Sequence, residues 1–221
     1  MKILVIGDSC EDNFIYCNID RICPEAPVPV LNPVKKTVNP GMAANVARNL
    51  MSLGSKVELI TNDNMISKTR YVDIKSGQMI MRLDENDECD ALKGWIDTNI
   101  VYDAVIVSDY NKGFLSERDI ESILIAFKNC PTFLDTKKRL SKFAHNAKFV
   151  KINRPEWENN SSYLEKNVIV TDGKNGAKYN GKVYPVNNEV KISDVSGAGD
   201  TFMAALVYSY IQSGHKIEQA I

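Results

Sequence analysis

Residues Ala104–Asn129 read AVIVSDYNKGFLSERDIESILIAFKN, and this stretch decides the fold class. The run AVIVSD is continuously apolar, rich in β-branched residues and ends in a polar residue, which is typical of a strand buried on both faces of a sheet. The following SERDIESILIAFKN predicts a helix with Ser116 as its N-cap and apolar residues at helical spacing: Ile120, Ile123, Leu124 and Phe127. A buried strand followed by a helix is the unit of an α/β fold with a mainly parallel sheet.

The same strand pattern recurs along the chain as KILVI from Lys2, KFVKIN from Lys148 and NVIVTD from Asn167. Parallel sheets bind ligands at the carboxyl ends of their strands. The residues that end the four runs are therefore expected at one ligand-binding edge: Asp8, Asp109, Asn153 and Asp172. For each of them, service as a helix N-cap is the competing interpretation.

Two stretches do not fit the alternation of strands and helices. Residues 13–39 are rich in proline, and residues 69–84, TRYVDIKSGQMIMRLD, alternate around a KSGQ turn and predict a hairpin. Together they indicate a small antiparallel flap outside the main sheet, either a lid over the ligand crevice or an edge hairpin. We therefore expect one domain over residues 1–221, with a lid from about 13–39 and 69–84.

The composition limits the classes of partner. The 221 residues carry a net charge of −1, so no overall basic field recruits nucleic acid, and no apolar run reaches the roughly 18 residues of a membrane span. The first residues, MKILVIGDSC, predict a short strand and not a signal peptide. Five cysteines without a CxxC pair indicate free thiols in a reducing cytoplasm, and two distant histidines argue against zinc.

The sequence SGAGD, Ser196–Asp200, precedes a long apolar run that predicts a helix. Glycines at a helix start let the free backbone N–H groups converge on an anion, so Gly197, Ala198 and Gly199 predict a phosphate cradle. Asp200 lies one turn further and either compensates the helix dipole or accepts a proton from a substrate hydroxyl. A base beside an anion cradle suits phosphoryl transfer to an alcohol, although the GxxxxGK[ST] loop is absent.

A third helix, with an unusually small first turn, is predicted from GMAANVARNLMSLG. The small residues after Gly41 allow a ligand to approach, and Asn45 can hydrogen-bond hydroxyl groups. A tightly packed core helix is the competing interpretation.

Four motifs in order carry a family resemblance. GMAANVARNL, NRPE, VTDGKNGA and DVSGAGDTF resemble the signatures of the ribokinase-like carbohydrate kinases, the PfkB family. GDSCEDNFIY, RICPEAPVPV, MRLDEND and SDYNKGFL look most like its D-glycero-β-D-manno-heptose 7-phosphate kinases, the kinase half of bifunctional ADP-heptose synthesis proteins. The resemblance implies a three-layer α/β/α fold with a small antiparallel β lid, and ATP and Mg²⁺ as cofactors.

The resemblance also implies roles for the matched positions. Asp200 would be the catalytic base, and Gly197, Ala198 and Gly199 would form the anion hole. Sugar or phosphate contacts would come from Asp12, Gly41, Asn45, Arg82 and Lys112, although Arg82 and Lys112 could also be solvated surface charges. Glu156 would hold Mg²⁺ through water, and the nucleotide would be bordered by Asn153, Glu156, Thr171, Gly173 and Gly176.

The sequence departs from the family pattern at three places. Met42 replaces the second glycine of a pair, and LITNDNMISKTRYV leads from a strand straight into the flap, so the fold is expected to be compacted. Relatives continue beyond the position of Ile221 with helices that enclose adenine, so a C-terminally short fold with weak nucleotide binding is expected. The competing functions are a sugar-phosphate-binding or regulatory module with little turnover, and a kinase for ribose, fructose or a nucleoside. The resemblance further suggests a homodimer through the lid.

Overall fold

Buried apolar strands form the centre of the molecule, as the sequence predicts. The structure is a computed structural model that describes residues 1–94, 96–160, 163, 167–186 and 196–221. The described strands are β1 (Lys2–Gly7), β2 (Ser9–Asn18), β3 (Asn32–Met42), β4 (Lys56–Ile60), β5 (Ile66–Asp73), β6 (Met79–Glu85), β7 (Ala104–Asp109), β8 (Thr132–Thr136), β9 (Phe149–Asn153), β10 (Val168–Thr171), β11 (Ala177–Tyr179) and β12 (Lys182–Tyr184). The described helices are α1 (Ala43–Ser52), α2 (Glu117–Ala126), α3 (Arg154–Asn159), α4 (Ala198–Gln212) and α5 (Ile217–Ala220).

The main sheet has the strand order β12-β11-β10-β9-β8-β7-β1-β4 among the described residues. Neighbours from β4 to β10 pair in parallel, and β10, β11 and β12 pair antiparallel. Because the parallel strands share one direction, Asp8, Asp109 and Asn153 lie at the same edge of the sheet, as predicted.

Apolar residues cover both faces of this sheet, which gives three layers. One core packs β1 and β7 against α1, α4 and α5, and it includes Leu50, Phe133 and Tyr210. The other core packs α2 and α3 against the opposite face and includes Leu124 and Leu134. The mainly parallel three-layer α/β/α fold is therefore confirmed.

The four predicted strands and the three predicted helices are present. Ser116 caps α2 as predicted: its hydroxyl accepts a hydrogen bond from the Asp119 amide at 3.2 Å, and the Asp119 carboxylate accepts one from the Ser116 amide at 2.8 Å. Strand β8 was not predicted, because TFLDT has few apolar residues and begins directly after a proline.

The predicted flap is a second sheet with the strand order β3-β2-β5-β6, which we call the lid. The expectation that this flap is wholly antiparallel is wrong, because β2 and β5 pair in parallel and only the outer pairs are antiparallel. Strand β2 begins directly after Asp8, and β3 runs directly into α1. The lid is thus joined to the ligand-binding edge of the main sheet by two continuous chain segments.

Met42 joins the lid to α1 in an unusual backbone conformation. Its φ is 59° and its ψ is −133°, a region that glycine adopts much more readily than a residue with a Cβ. Its side chain is buried against Cys10 and Ile66. The glycine expected at this position would relieve the backbone strain, and the methionine fills the space beneath the lid instead.

Candidate active site

The carboxylate of Asp200 lies in the first turn of α4 and is buried. The Tyr110 hydroxyl donates a hydrogen bond to its Oδ1 at 2.6 Å, and the Asn45 amide donates one to its Oδ2 at 2.9 Å. Burial raises the pKa of Asp200 above its ordinary value, while these two donors act to lower it. Each oxygen of Asp200 is thus oriented by one donor and keeps further acceptor capacity.

The orientation of the Asn45 amide is set by a second contact. Arg48 donates to Asn45 Oδ1 at 3.0 Å and to Asn39 Oδ1 of the lid at 3.1 Å. Because the oxygen of Asn45 is occupied in this way, its nitrogen faces Asp200. Hydrogen bonds therefore run from lid strand β3 through α1 to the carboxylate.

The SGAG segment turns into α4 through a left-handed residue. Gly197 has φ 74°, and a Cβ at this position would lie 2.6 Å from the Asn45 amide nitrogen, so both the conformation and the space require glycine. Thr201 donates the first intrahelical bond to the Gly197 carbonyl, at 2.9 Å. The preceding amides of Ala198, Gly199 and Asp200 have no intrahelical acceptor, as at any helix start, and can bind an anion. Asp194 and Val195, which open the quoted motif, lie outside the described residues.

Two lysines lie close to this helix start. The Lys151 ammonium is buried on β9, donates to Asp135 Oδ2 at 2.7 Å, and lies 3.0 Å from where a Cβ of Gly199 would be. The Lys137 ammonium pairs with Glu156 and lies 5.4 Å from the centre of the Tyr110 ring. Burial acts to lower the pKa of Lys137, but the carboxylates of Asp135, Glu156 and Asp200 outweigh it and raise that pKa. Both ammonium groups are positioned to attract a phosphate.

Asn153 and Glu156 form a capping box at the start of α3. The Asn153 side chain accepts from the Glu156 amide at 2.9 Å, and Glu156 Oε2 accepts from the Asn153 amide at 2.8 Å. Asn153 therefore caps α3, as one interpretation predicts, and it also ends β9 at the predicted ligand-binding edge. The second oxygen of Glu156 faces Lys137, next to the site.

The loop after β7 is organised by the buried carboxylate of Asp8. Asp8 accepts hydrogen bonds from the backbone amides of Tyr110 at 2.5 Å, Lys112 at 3.2 Å and Phe114 at 3.3 Å. Three amide donors satisfy a buried carboxylate without a cation. Asp8 thus fixes the loop that carries Tyr110 and Lys112.

Comparisons with known proteins agree with the fold. The model of the pfkB family carbohydrate kinases matches residues 125–221. The chain is 33% identical to the bifunctional protein HldE of Helicobacter pylori and 28% identical to that of Nitratiruptor, over 96% and 99% of its length. It spans 58% of the length of each of these relatives.

The chain is thus similar to the pfkB carbohydrate kinases in its C-terminal part and to the HldE proteins along nearly its whole length.

Solved structures share the fold of this chain. Ribokinase from Thermotoga maritima superposes with a TM-score of 0.70 at 18% identity, over 99% of this chain and 88% of that one. The nucleoside kinase of Methanocaldococcus jannaschii superposes with a TM-score of 0.67 at 17% identity, over 99% and 87% of the two chains. Ribokinase from Cryptococcus neoformans, solved in complex with ADP, has a TM-score of 0.63 at 18% identity and covers 99% of this chain and 90% of its own.

The residues expected to border a nucleotide lie along the edge of the main sheet. Thr171 ends β10, and its hydroxyl donates to the Ile152 carbonyl at 3.3 Å. Gly173 and Gly176 lie in the following 3₁₀ turn and its end. Asp172 precedes that turn, where it accepts from Arg154 at 2.8 Å and from Asn175 at 3.0 Å. This half-buried carboxylate therefore has a local structural role.

Asp109 is also used within the fold. It is buried, accepts from Lys138 at 2.7 Å, and accepts from the Thr136 hydroxyl. Burial raises the pKa of Asp109, and these donors act to lower it. Its hydrogen bonds tie the ends of β7 and β8 together and hold the strand end that precedes Tyr110.

The charged residues that are predicted to bind the substrate already form ion pairs within the fold. Asp12 accepts from Arg70 at 2.6 Å, and a Cβ at Gly41 would lie 2.5 Å from the other Asp12 oxygen. Arg82 on the exposed strand β6 pairs with Asp84 at 2.8 Å. Lys112 pairs with Asp87 at 2.5 Å and is mostly buried. Of the two predicted cations, Lys112 lies on the loop that also carries Tyr110, whereas Arg82 lies on strand β6.

Sequence reasoning did not assign five residues that the structure brings to this region: Arg70, Tyr110, Asp135, Lys137 and Lys151. A lysine inside the apolar strand FVKIN was a readable signal, since a buried ammonium needs a carboxylate partner. Asp135 and Lys137 were hidden because β8 itself was not predicted.

Two concavities among the described residues are not lined by Asp200. A concavity of about 980 Å³ lies between α3 and strands β10 to β12 and is lined by Trp157, Val170, Lys178 and Val183, away from Asp200. A smaller one of about 400 Å³ opens beside the lid and is lined by Cys10, Asn39 and Asn62. The candidate active site is marked instead by the charged side chains that converge at the start of α4, since cavity size depends on the shape of the surface and not on its chemistry.

Among the described residues, no helix is both long enough and apolar enough to cross a membrane. All five cysteines are free thiols. Burial is the main cause that raises the pKa of Cys10 to about 12 and that of Cys89 to about 11, so both stay protonated at neutral pH.

Proposed function

We propose that this chain transfers the γ-phosphoryl group of ATP to a sugar hydroxyl. The observation that carries the proposal is the buried Asp200 carboxylate at the start of α4, oriented by two donors and adjacent to free helix amides. A base for the hydroxyl and donors for the phosphoryl charge are the two requirements of this reaction.

The residues around Asp200 divide into a sugar side and a nucleotide side. On the sugar side, Asn45 and Asp12 hold hydroxyl groups. Gly41 has no side chain and so leaves room for the Asp12 carboxylate. At the centre, the amides of Gly197, Ala198 and Gly199 form the anion hole. On the nucleotide side, the phosphates and base are bordered by Asn153, Glu156, Thr171, Gly173 and Gly176.

The donor set near Glu156 fits a magnesium ion that is held through water and phosphate. No group of three or more His, Cys, Asp or Glu residues that could cage a metal occurs among the described residues. Mg²⁺ commonly keeps several waters and binds few protein carboxylates directly. The carboxylate of Glu156 retains lone pairs beyond its bonds to Lys137 and Asn153. Bound Mg²⁺ would neutralise phosphate charge.

We propose a phosphorylated sugar as the acceptor, namely a heptose 7-phosphate phosphorylated at its anomeric 1-position. Arg70 lies directly opposite Arg82 in the register of β5 and β6, and both share the lid face of Asp12. Lys112 lies nearby on the loop after β7. These cations would exchange their acidic partners for the substrate's phosphate, for which arginine is the preferred ligand. The relatives named HldE favour the same assignment.

ADP release with Mg-ATP and a panel of sugars and sugar phosphates tests this function. We expect the highest kcat/KM with a heptose 7-phosphate, and loss of turnover in Asp200→Asn. Asp103→Asn is the matched control, because Asp103 accepts from the Lys2 amide at 2.7 Å at the opposite edge of the sheet. Sugar-phosphate binding without turnover would instead make the chain a binding or regulatory module, and preference for ribose, fructose or a nucleoside would overturn the heptose assignment.

We also propose that residues 1–221 act as one kinase domain and that two copies pair through their lids. Val38 and Leu83 are exposed and lie in the same row of the lid, on the face opposite Asp12. Sedimentation should give a dimer that Leu83→Glu separates, and a monomer at high concentration would refute the pairing. The free thiols favour a reducing compartment, so we place the protein in the cytoplasm.

A further inference from the structure

The hydroxyl of Tyr110 contacts the reacting carboxylate and has no assigned role in the proposed reaction. It donates to Asp200 Oδ1 at 2.6 Å, a short bond of the charge-assisted kind. Asn45 occupies the other oxygen at 2.9 Å. The two donors approach different oxygens, so they fix the plane of the carboxylate as well as its charge.

The phenol is held in place by the fold and not by Asp200 alone. The backbone amide of Tyr110 donates to Asp8 at 2.5 Å, and the amides of Lys112 and Phe114 bind the same carboxylate. The loop contains Asn111 with φ 57° and Gly113 with φ 109°, a tight path that these bonds stabilise. The position of the hydroxyl is therefore set before any substrate binds.

The phenol keeps its proton in these surroundings. Burial raises the pKa of Tyr110, and the nearby carboxylate of Asp200 raises it further. Tyr110 is thus a permanent donor at neutral pH, and it favours the ionised form of Asp200. Other charged or titratable groups also surround Asp200: Cys10 on β2, Asp135 on β8, Lys137 after β8, Lys151 on β9, and Arg48 behind Asn45.

We propose that Tyr110 is a positioning residue, which orients Asp200 and keeps its carboxylate ionised so that it can accept the proton of the sugar hydroxyl. This inference rests on the proposed kinase function for its catalytic meaning. The effect on Asp200 itself is independent of turnover, since it depends only on the hydrogen bond between the two side chains.

A titration of Asp200 in Tyr110→Phe tests the inference without an activity assay. Carboxyl carbon NMR of the full chain with labelled aspartate would follow Asp200, with Asp200→Asn assigning its signal. Loss of one hydrogen bond to a charged group should raise the pKa of Asp200 by about one to two units. Tyr102→Phe is the matched control, because the Tyr102 hydroxyl also donates to a carboxylate, Glu58 at 2.8 Å, on another part of the sheet.

The pH dependence of kcat/KM should shift in the same direction as the pKa of Asp200. The acid limb of the kcat/KM profile should move to higher pH in Tyr110→Phe by the same interval, and it should stay in place in Tyr102→Phe. An unchanged pKa of Asp200 in a folded Tyr110→Phe would overturn the inference. If wild-type protein shows no turnover while the titration shifts as expected, the kinase function fails and the positioning of Asp200 stands.

A second variant keeps the test decisive if Tyr110→Phe does not fold. Incorporation of 3-fluorotyrosine retains the ring and the hydroxyl but makes the phenol a stronger donor. The pKa of Asp200 should then move downward, opposite to the phenylalanine variant. An Asp200 pKa that stays the same or rises with fluorotyrosine would contradict the proposed hydrogen-bond control.

Discussion

Replacing Asp200 by asparagine separates the chemistry of the site from its stability. An amide at position 200 can keep both hydrogen bonds, with its oxygen accepting from Asn45 and its nitrogen donating to a reoriented Tyr110 hydroxyl. The site should therefore keep its shape and its affinity for the sugar. What the amide lacks is the ability to accept a proton from the substrate.

The expected loss of kcat is about 10²–10⁴-fold, the usual contribution of a positioned base. This range corresponds to about 2.7–5.4 kcal/mol of transition-state stabilisation. The measurement is steady-state ADP release with saturating sugar phosphate and Mg-ATP, with Asp103→Asn as control. A variant that retains kcat within about threefold would exclude Asp200 as the base, because such a change is small beside a base contribution.

Stability should change in the opposite direction. The pKa of Asp200 is raised in the folded chain by burial, so the folded chain binds more protons than the unfolded chain between about pH 4 and that raised pKa. The free energy of unfolding of the wild type therefore falls as pH rises through this interval and levels off above it. Asparagine does not titrate, so the variant avoids this loss.

Urea unfolding of both proteins at pH 4 and pH 7.5 measures this difference. We expect Asp200→Asn to be more stable at pH 7.5 by about 0.5–2 kcal/mol, the usual size of a single stabilising substitution. The advantage should shrink at pH 4, where a larger share of the wild-type aspartate is protonated in the folded chain than at pH 7.5. A wild type that is equally stable or more stable at pH 7.5 would show that burial of the Asp200 charge is fully compensated.

Three further predictions follow from particular contacts. Gly197→Ala should lose about 1–2 kcal/mol of stability from its left-handed backbone, and it should also lose kcat because a Cβ would lie 2.6 Å from the Asn45 amide. Gly54→Ala is the control, since Gly54 has φ 85° and no atom lies within 4 Å of the added Cβ. This control variant should lose stability but keep its kcat. Equal kcat in the two variants would refute the steric argument. If the second sheet closes over the sugar, hydrogen exchange of the lid should slow when sugar phosphate is added, and unchanged exchange at saturation would leave it an edge sheet. The Cys10 thiol, with a pKa of about 12, should resist alkylation at pH 7.5 in folded protein, while the half-buried Cys23 reacts first by mass spectrometry.

The sequence predicts well those parts of the molecule whose pattern is local. Buried strands such as AVIVSD are continuous apolar runs, and Ser116 caps its helix through residues three positions away. The hairpin around KSGQ also follows from local alternation and turn residues. In each case the residues that determine the element are close together in the chain.

The parts that sequence reasoning missed depend on contacts between distant residues. Tyr110 looks like an ordinary aromatic residue until α4 places Asp200 beside its hydroxyl. The parallel pairing of β2 with β5 cannot be read from either strand, because it depends on how the chain returns through α1 and β4. Asp12 is expected to bind sugar hydroxyls, and its Arg70 partner, 58 residues away, becomes visible only in the folded chain.

The two hydrogen bonds that hold Asp200 join chain segments 155 and 90 residues apart. Contacts between such distant segments close long loops, and their entropy cost makes them late events in folding. The strands and helices of a refolding chain can therefore form before Asn45, Tyr110 and Asp200 meet. Recovery of far-ultraviolet circular dichroism should precede recovery of the site, because Asp200 acquires its environment only when α4 docks beside α1.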